Sequence, residues 1–225
     1  MEGYQTEEQQ LVVLHEFWKR NRLFILSLIV LFCVILFGTQ MYRRYEVRQA
    51  EQASILYQEV LSAVQKTDVN VAKTKGALLL KKYSRTPYAA LGAMILAKIS
   101  IDEEDLPTAI DKFRYIVKNS AKNPLWHVAK IKLARLLHAN KEHQEALKEL
   151  DNPPNGYVQL YEELKGDIYV TLKDLDKARE SYRKAISNAN GNPVPWLEMK
   201  LTNINTVEDA LKKGVIDGPA IKTNS

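Results

Sequence analysis

Two hydrophobic patterns divide this chain. Residues 23–42, LFILSLIVLFCVILFGTQMY, run twenty positions without a charge. Beyond them, apolar residues recur at helical spacing in a charge-rich background. The uncharged run predicts a helix of roughly 30 Å, the hydrocarbon thickness of a bilayer. Arg22 bounds it on one side and Arg43 and Arg44 on the other. A secretory signal has a shorter apolar stretch and a small-x-small cleavage site. Here four acids (Glu2, Glu7, Glu8, Glu16) precede the run, and Gly38-Thr39-Gln40 lacks small residues at both specificity positions. The run therefore reads as an uncleaved anchor. Before it, Thr6 is placed to cap a helix running to Trp18, with Glu7 and Glu8 in the first turn. Leu11, Leu14, Phe17 and Trp18 lie on one side of that helix, with Trp18 expected at the membrane interface.

Past the anchor, β-branched alternation is absent and Ala, Leu, Lys and Glu dominate, which predicts an almost wholly helical domain. Three stretches align: LAKISIDEEDLPTAIDKF (96–113), LARLLHANKEHQEALKEL (133–150) and LKGDIYVTLKDLDKARESY (164–182). Each has a small residue near its start (Ala97, Ala134, Gly166) and an Ala twelve positions later (Ala109, Ala146, Ala178). Four residues further on stands a large apolar residue: Phe113, Leu150, Tyr182. Small residues let two antiparallel helices approach closely, and the bulky one fills the gap to the next pair. This is the spacing of tetratricopeptide repeats. The third unit matches best, through Gly166, Tyr169, Ala178, Tyr182 and Ala185. The units advance by 37 and then 32 residues, and Pro153-Pro154 cuts short the second helix of the second unit.

Residues 45–66 and 69–83 predict an earlier helix pair too divergent to align by pattern. Pro87 and Pro124 mark turns. Residues 195–204, with Trp196, Met199 and Leu201 taken as the apolar face, are expected to cap the open end of the array. Thr206 and Asp209 form a candidate capping pair for a short helix ahead of a loose tail. No Gly or Pro interrupts residues 42–66, so the membrane helix is expected to continue outward and hold the domain near the lipid. The fold class is all-α: a single N-terminal transmembrane helix followed by a tetratricopeptide-repeat-like α-solenoid.

Charge adds little. The formal net charge of +5 fits a solvated basic surface or weak attraction to membrane lipid and acidic partners. Lys19, Arg20 and Arg22 on one side of the anchor balance Arg43, Arg44 and Arg48 on the other, so the positive-inside rule leaves orientation open. The single Cys, Cys33, lies inside the span. The domain thus carries no disulfide, which fits a reducing cytosol and equally a periplasmic domain that needs none.

Motifs for chemistry are missing. No Walker A loop, nucleophile elbow or dinucleotide fingerprint appears, and no dense basic run with aromatics marks nucleic-acid binding. His138 and His143 are five apart across the turn of the second unit, a spacing that does not align two ligands on one helix face. The acidic run 102–105 lacks the Gly and alternation of a calcium loop. The expectation is no enzyme, no cofactor, no metal, no small-molecule substrate and no nucleic acid. What remains is a binding surface. By repeat position, the concave wall of the array would carry Met94, Lys98 and Ile101, then Ile131, Arg135 and His138, then Glu163, Asp167 and Thr171. Such a mixture suits an extended segment or a partner helix, or it is ordinary surface.

Several local words go further. They are Tyr4-Gln5-Thr6-Glu7-Glu8-Gln9 with Phe17-Trp18-Lys19-Arg20-Asn21, AEQASILYQEVLSAV (50–64), YAALGAMILAK (88–98), Leu133-Ala134-Arg135 and Met199-Lys200-Leu201-Thr202-Asn203-Ile204. Together they resemble the YfgM family, the ancillary subunit of the bacterial Sec translocon, over roughly residues 4–205. Arg22 departs from the Gly expected before the anchor, and residues 206–225 extend past the family's usual end as a flexible tail. The resemblance implies a single-pass inner-membrane protein with residues 1–22 cytosolic, 23–42 spanning and a periplasmic repeat domain over 43–205. It implies as partners the SecYEG translocon, a membrane-anchored periplasmic chaperone and exported client chains. The family role is to help pass newly exported proteins to periplasmic chaperones. A scaffold for another envelope complex, or a receptor with cytosolic repeats, stays open.

Overall fold

In the computed structural model the described residues are 7–120 and 125–212. Thr6, Pro124 and the tail from 213 lie outside them. The chain divides into two compact units, Met1–Gln52 and Ala53–Ser225. The described elements are α1 (Glu7–Gln65), α2 (Val69–Lys82), α3 (Pro87–Asp102), α4 (Leu106–Asn119), α5 (Leu125–Ala139), α6 (His143–Glu149), α7 (Val158–Thr171), α8 (Leu175–Ser187) and α9 (Pro195–Lys212). A 3₁₀ turn at Asn155–Tyr157 precedes α7.

The first unit is built on α1. The helix expected to stop at Trp18 instead runs through the uncharged stretch and on past Tyr42. Leu23, Phe24 and Phe37 are 77%, 69% and 68% exposed. An apolar stretch like this in a soluble core would be buried; this one is long and apolar enough to cross a membrane, and none of its apolar window is buried. Its hydroxyls are satisfied locally. Ser27 Oγ donates to the Phe24 carbonyl at 2.7 Å and Thr39 Oγ1 to the Leu36 carbonyl at 2.8 Å. Hydrocarbon offers hydroxyls no other partner.

In the second unit consecutive helices pack in chain order from α2 to α9, the one-dimensional arrangement of a repeat array. The main core gathers Ala97, Ile110, Phe113, Ala134, Leu137, Ala146, Leu150 and Ile168. The small and large positions read from the sequence are all buried: Ala97, Ala109, Ala134, Ala146 and Ala178 at 0%, Leu150 at 0%, and Phe113 and Tyr182 at 3%. Gly166 is the tightest of them. A Cβ there would meet the Tyr182 ring, 2.6 Å from Cδ1.

The divergent first pair proves to be a repeat with its sizes exchanged. Val60 stands twelve residues before Ala72, and both are fully buried. At the position of the large residue is Gly76. Its space is taken by Leu96 from the next unit, 2.8 Å from where a Cβ would stand.

Four inter-helix turns share one geometry. Thr67, Glu104, Lys141 and Lys173 are left-handed, with φ of 59°, 61°, 67° and 63°. An acid follows each. Asp68, Asp105 and Asp174 accept from the backbone N–H three residues on, at 3.1, 3.1 and 3.2 Å. Such N-caps are worth about 0.5–2 kcal/mol each. Hydrogen bonding to Thr108 and Lys177 holds the Asp105 and Asp174 carboxyls below the usual range. Glu142 occupies the equivalent place without a side-chain cap, and the helix it opens, α6, has only seven residues.

The C-terminal helix differs from the expectation. Trp196 and Met199 are 45% and 61% exposed, whereas Leu197 is fully buried and Ile204 is 5% exposed, packed with Val194, Tyr182 and Ala185. Positions 196, 199 and 201 do not share a helical stripe, but 197, 201 and 204 do. α9 packs on α8 through that second stripe. Thr206 starts no new helix. α9 continues through Lys212, and the Thr206 hydroxyl donates back to the Asn203 carbonyl at 2.9 Å.

Candidate functional site

Lys98, Arg135 and Asp167 are equivalent by register. Each directly follows the small residue that brings α3, α5 or α7 against its partner helix. Lys98 and Arg135 are exposed, and Ile101 is 40% exposed at the end of α3. Met94 is half-buried against the main core. Ile131 offers no wall surface, because it is 7% exposed and belongs to that core. The exposed strip of α5 runs through Lys132, Arg135 and Ala139, about 100° around the helix from Ile131. Lys132 stands where Ile131 was expected.

The third unit's acids are already occupied. Lys200 Nζ on α9 reaches Asp167 Oδ1 and Oδ2 at 2.8 and 3.0 Å and Glu163 Oε1 at 3.0 Å. The Tyr182 hydroxyl donates to Asp167 Oδ1 at 2.6 Å. Burial favours the neutral amine at Lys200, but Asp167 and Glu163 outweigh it and its pKa is raised. Burial, then the bond to Asp167, drives the Tyr182 phenol far above its usual range. The four groups tie α7, α8 and α9 together. Sequence reasoning does not single out Lys200, which lies two helices on from Glu163 and Asp167. Beside this network Trp196 and Met199 stand exposed.

His138 and Thr171 are brought together, Nε2 to Oγ1 at 3.4 Å. His143 joins them. Its Nδ1 lies 3.0 Å from Nδ1 of His138, because the two rings sit on different helices and meet across the turn, where one-helix spacing does not apply. Among the described residues no group of three or more His, Cys, Asp or Glu is arranged to hold a metal. Across α3, α5 and α9 the exposed positions thus include cations (Lys98, Lys132, Arg135) and apolar side chains (Ile101, Trp196, Met199), while Glu163 and Asp167 of α7 are paired with Lys200.

A family model described as a tetratricopeptide repeat-like domain matches residues 15–206. Relatives named ancillary SecYEG translocon subunit align along nearly the whole chain. The Aggregatibacter actinomycetemcomitans protein is 26% identical over 88% of this chain and 97% of its own. The Escherichia coli K12 protein is 25% identical over 91% and 99%. The Neisseria gonorrhoeae protein is 22% identical over 91% and 100%. The solved structure of Pseudomonas aeruginosa PilF, 17% identical, superposes with a TM-score of 0.53 over 72% of this chain and 71% of its own, which bears on the fold alone. The resemblance seen in the sequence is thus met along the chain, and the fold is that of an interaction scaffold rather than a catalyst. The chain belongs to the tetratricopeptide repeat-like domain family.

Proposed function

We propose that this protein is a non-enzymatic accessory subunit of the Sec translocon. It is anchored in the bacterial inner membrane by residues 23–42, with residues 1–22 in the cytosol and the repeat domain, 43–205, in the periplasm. Through contacts of the repeats it helps pass newly exported chains from SecYEG to a membrane-anchored periplasmic chaperone. The observation that carries this reading is the alignment, over about nine-tenths of the chain, with proteins named ancillary SecYEG translocon subunit. The bare apolar stretch of α1 supports the anchor, and the exposed side chains of α3, α5 and α9 support binding through the array. The wall residues proposed to make those contacts are Met94, Lys98, Ile101, Arg135, His138 and Thr171, with Lys132 in place of Ile131.

The test is a mild-detergent pull-down of the tagged full-length chain, with mass spectrometry of what is retained. SecYEG and a periplasmic folding factor together are the expected result. A different envelope complex in their place would overturn the export role in favour of a scaffold. A reporter fused after Ser225 checks orientation. Activity confined to the cytosol would place the repeats on the other side.

A further inference from the structure

The His138–His143 contact joins the end of α5 to the start of α6, and its donors run in one direction. The Thr171 hydroxyl donates to the Asp167 carbonyl at 3.2 Å. Its oxygen is then left to accept from His138 Nε2–H, loosely, at 3.4 Å. A neutral His138 with its proton on Nε2 has a bare Nδ1. That nitrogen accepts from His143 Nδ1–H at 3.0 Å. The chain of donors thus passes from α6 to α5 to α7. The second added proton breaks it. His143 can be charged and still donate, but a charged His138 carries a proton on the atom that has to accept.

We propose that His138 and His143 form a proton-operated latch, closed when His138 is neutral and opened in mild acid when both rings are charged, which frees the α5–α6 turn and the His138–Thr171 contact on the candidate binding wall. The consequence for binding rests on the wall reading above; the latch itself does not. Burial first, and then the neighbouring His143, keep His138 below its ordinary pKa, with Asp167 on α7 opposing. The charged groups around the pair come from each packed element. Asp167 on α7 is held by Lys200 and Tyr182. Glu142 at the start of α6 takes a bond from Asn140 and faces Arg114 of α4 at 3.6 Å. Glu145 of α6 is bound by the same Arg114 at 2.8 Å, and Arg135 and Lys141 flank His138 in sequence. The nearby acids are thus already paired with cations or amides, so the second proton meets little compensating charge. The turn is otherwise weakly secured. Glu142 gives no side-chain cap, and Lys141 sits at φ 67°.

The test uses the full-length protein in lipid nanodiscs. Amide hydrogen-exchange protection, corrected for intrinsic pH dependence, is compared at about pH 7.5 and about pH 5. The amides of Lys141, Glu142 and Ala146 report the turn through their bonds to His138, Leu137 and Glu142 carbonyls. Expected is a loss of about tenfold or more in protection there through local opening, with the α7–α8 turn unchanged. His143→Asn keeps a hydrogen-bonding partner whose oxygen can accept from a charged His138, so the variant should stay protected in acid. Equal acid-induced loss in wild type and His143→Asn, or none in wild type, overturns the latch. Should the variant not fold, the imidazole proton resonances of the wild type decide. Two well-separated titration steps are expected, and two independent, ordinary titrations overturn it. These readouts need no partner, so they stand or fall apart from the pull-down.

Discussion

The ring of Tyr182 packs against Gly166 so closely that a single added methyl would meet Cε1, Cδ1 at 2.6 Å and Cζ at 2.9 Å. The ring cannot swing away freely, because its hydroxyl is bound to Asp167 on the same helix as Gly166. Gly166→Ala should therefore destabilise the repeat domain by about 1–3 kcal/mol through overpacking, even though Ala gains up to about 1 kcal/mol of helix propensity over Gly. Urea unfolding followed by tryptophan fluorescence measures it. Tyr182→Leu in the Gly166→Ala background should recover part of the loss, since coupling is the mark of direct contact. Independent, additive effects would show that the crowding is relieved elsewhere.

Lys200 and Tyr182 share one acceptor, and both have raised folded pKa values. A raised value means that the stabilisation is complete below the unfolded pKa, about 10 for either group, and is lost as pH climbs through the folded one. Alkaline unfolding should thus steepen above about pH 10. Lys200→Met should cost about 1–2 kcal/mol at neutral pH, limited by the partial exposure of the pair. It should also flatten the alkaline slope. Unfolding free energies collected from neutral to strongly alkaline pH check both, and a parallel slope in the variant would remove Lys200 from the account.

How much of this was legible in the chain follows from which forces are local. Ala97, Ala109, Ala134, Ala146 and Ala178 are readable because close helix approach demands small side chains at fixed spacing, and all are fully buried. The first pair hid the same geometry by exchanging sizes. Val60 took a small-residue site, and Gly76 vacated a large one to Leu96 of the next unit. Only a three-dimensional neighbour reveals that trade. Register put Lys98 and Arg135 at positions that are exposed, but it also chose Ile131, which is core, one position from the exposed Lys132. Lys200 and the His138–His143 contact escaped because each joins residues on different helices, and spacing along one helix says nothing about them.

Backbone conformation supplies a prediction of the opposite sign. Thr67 has φ 59°, in the left-handed region where a β-branched side chain is an outlier. The left-handed form costs an L-residue roughly 1–2 kcal/mol, whereas Gly loses about 0.5–1 kcal/mol through its freer unfolded chain. Thr67→Gly should therefore raise stability by about 0.5–1 kcal/mol. Its melting temperature should exceed that of wild type. A lower one would mean that the Thr67 side chain contributes contacts that offset its strain.

The two faces of α9 separate stability from recognition. Leu197 is fully buried with Val194, Tyr182 and Ile204, so Leu197→Ala should cost about 2–5 kcal/mol, the range for emptying a core leucine site. Trp196 and Met199 are exposed beside the Lys200 network, to which Trp196 adds only a long Nε1–H bond to Glu163 at 3.5 Å. Trp196→Ser with Met199→Ser should leave unfolding within about 0.5 kcal/mol of wild type. If the exposed face of α9 contributes to partner binding, as exposed aromatic and methionine side chains do at interfaces, the same double variant should retain markedly less partner in the mild-detergent pull-down. Unchanged recovery with unchanged stability would remove α9 from the contact surface and leave it to α3, α5 and α7. A large loss of stability would return Trp196 and Met199 to the cap of the array, the role their apolar character first suggested.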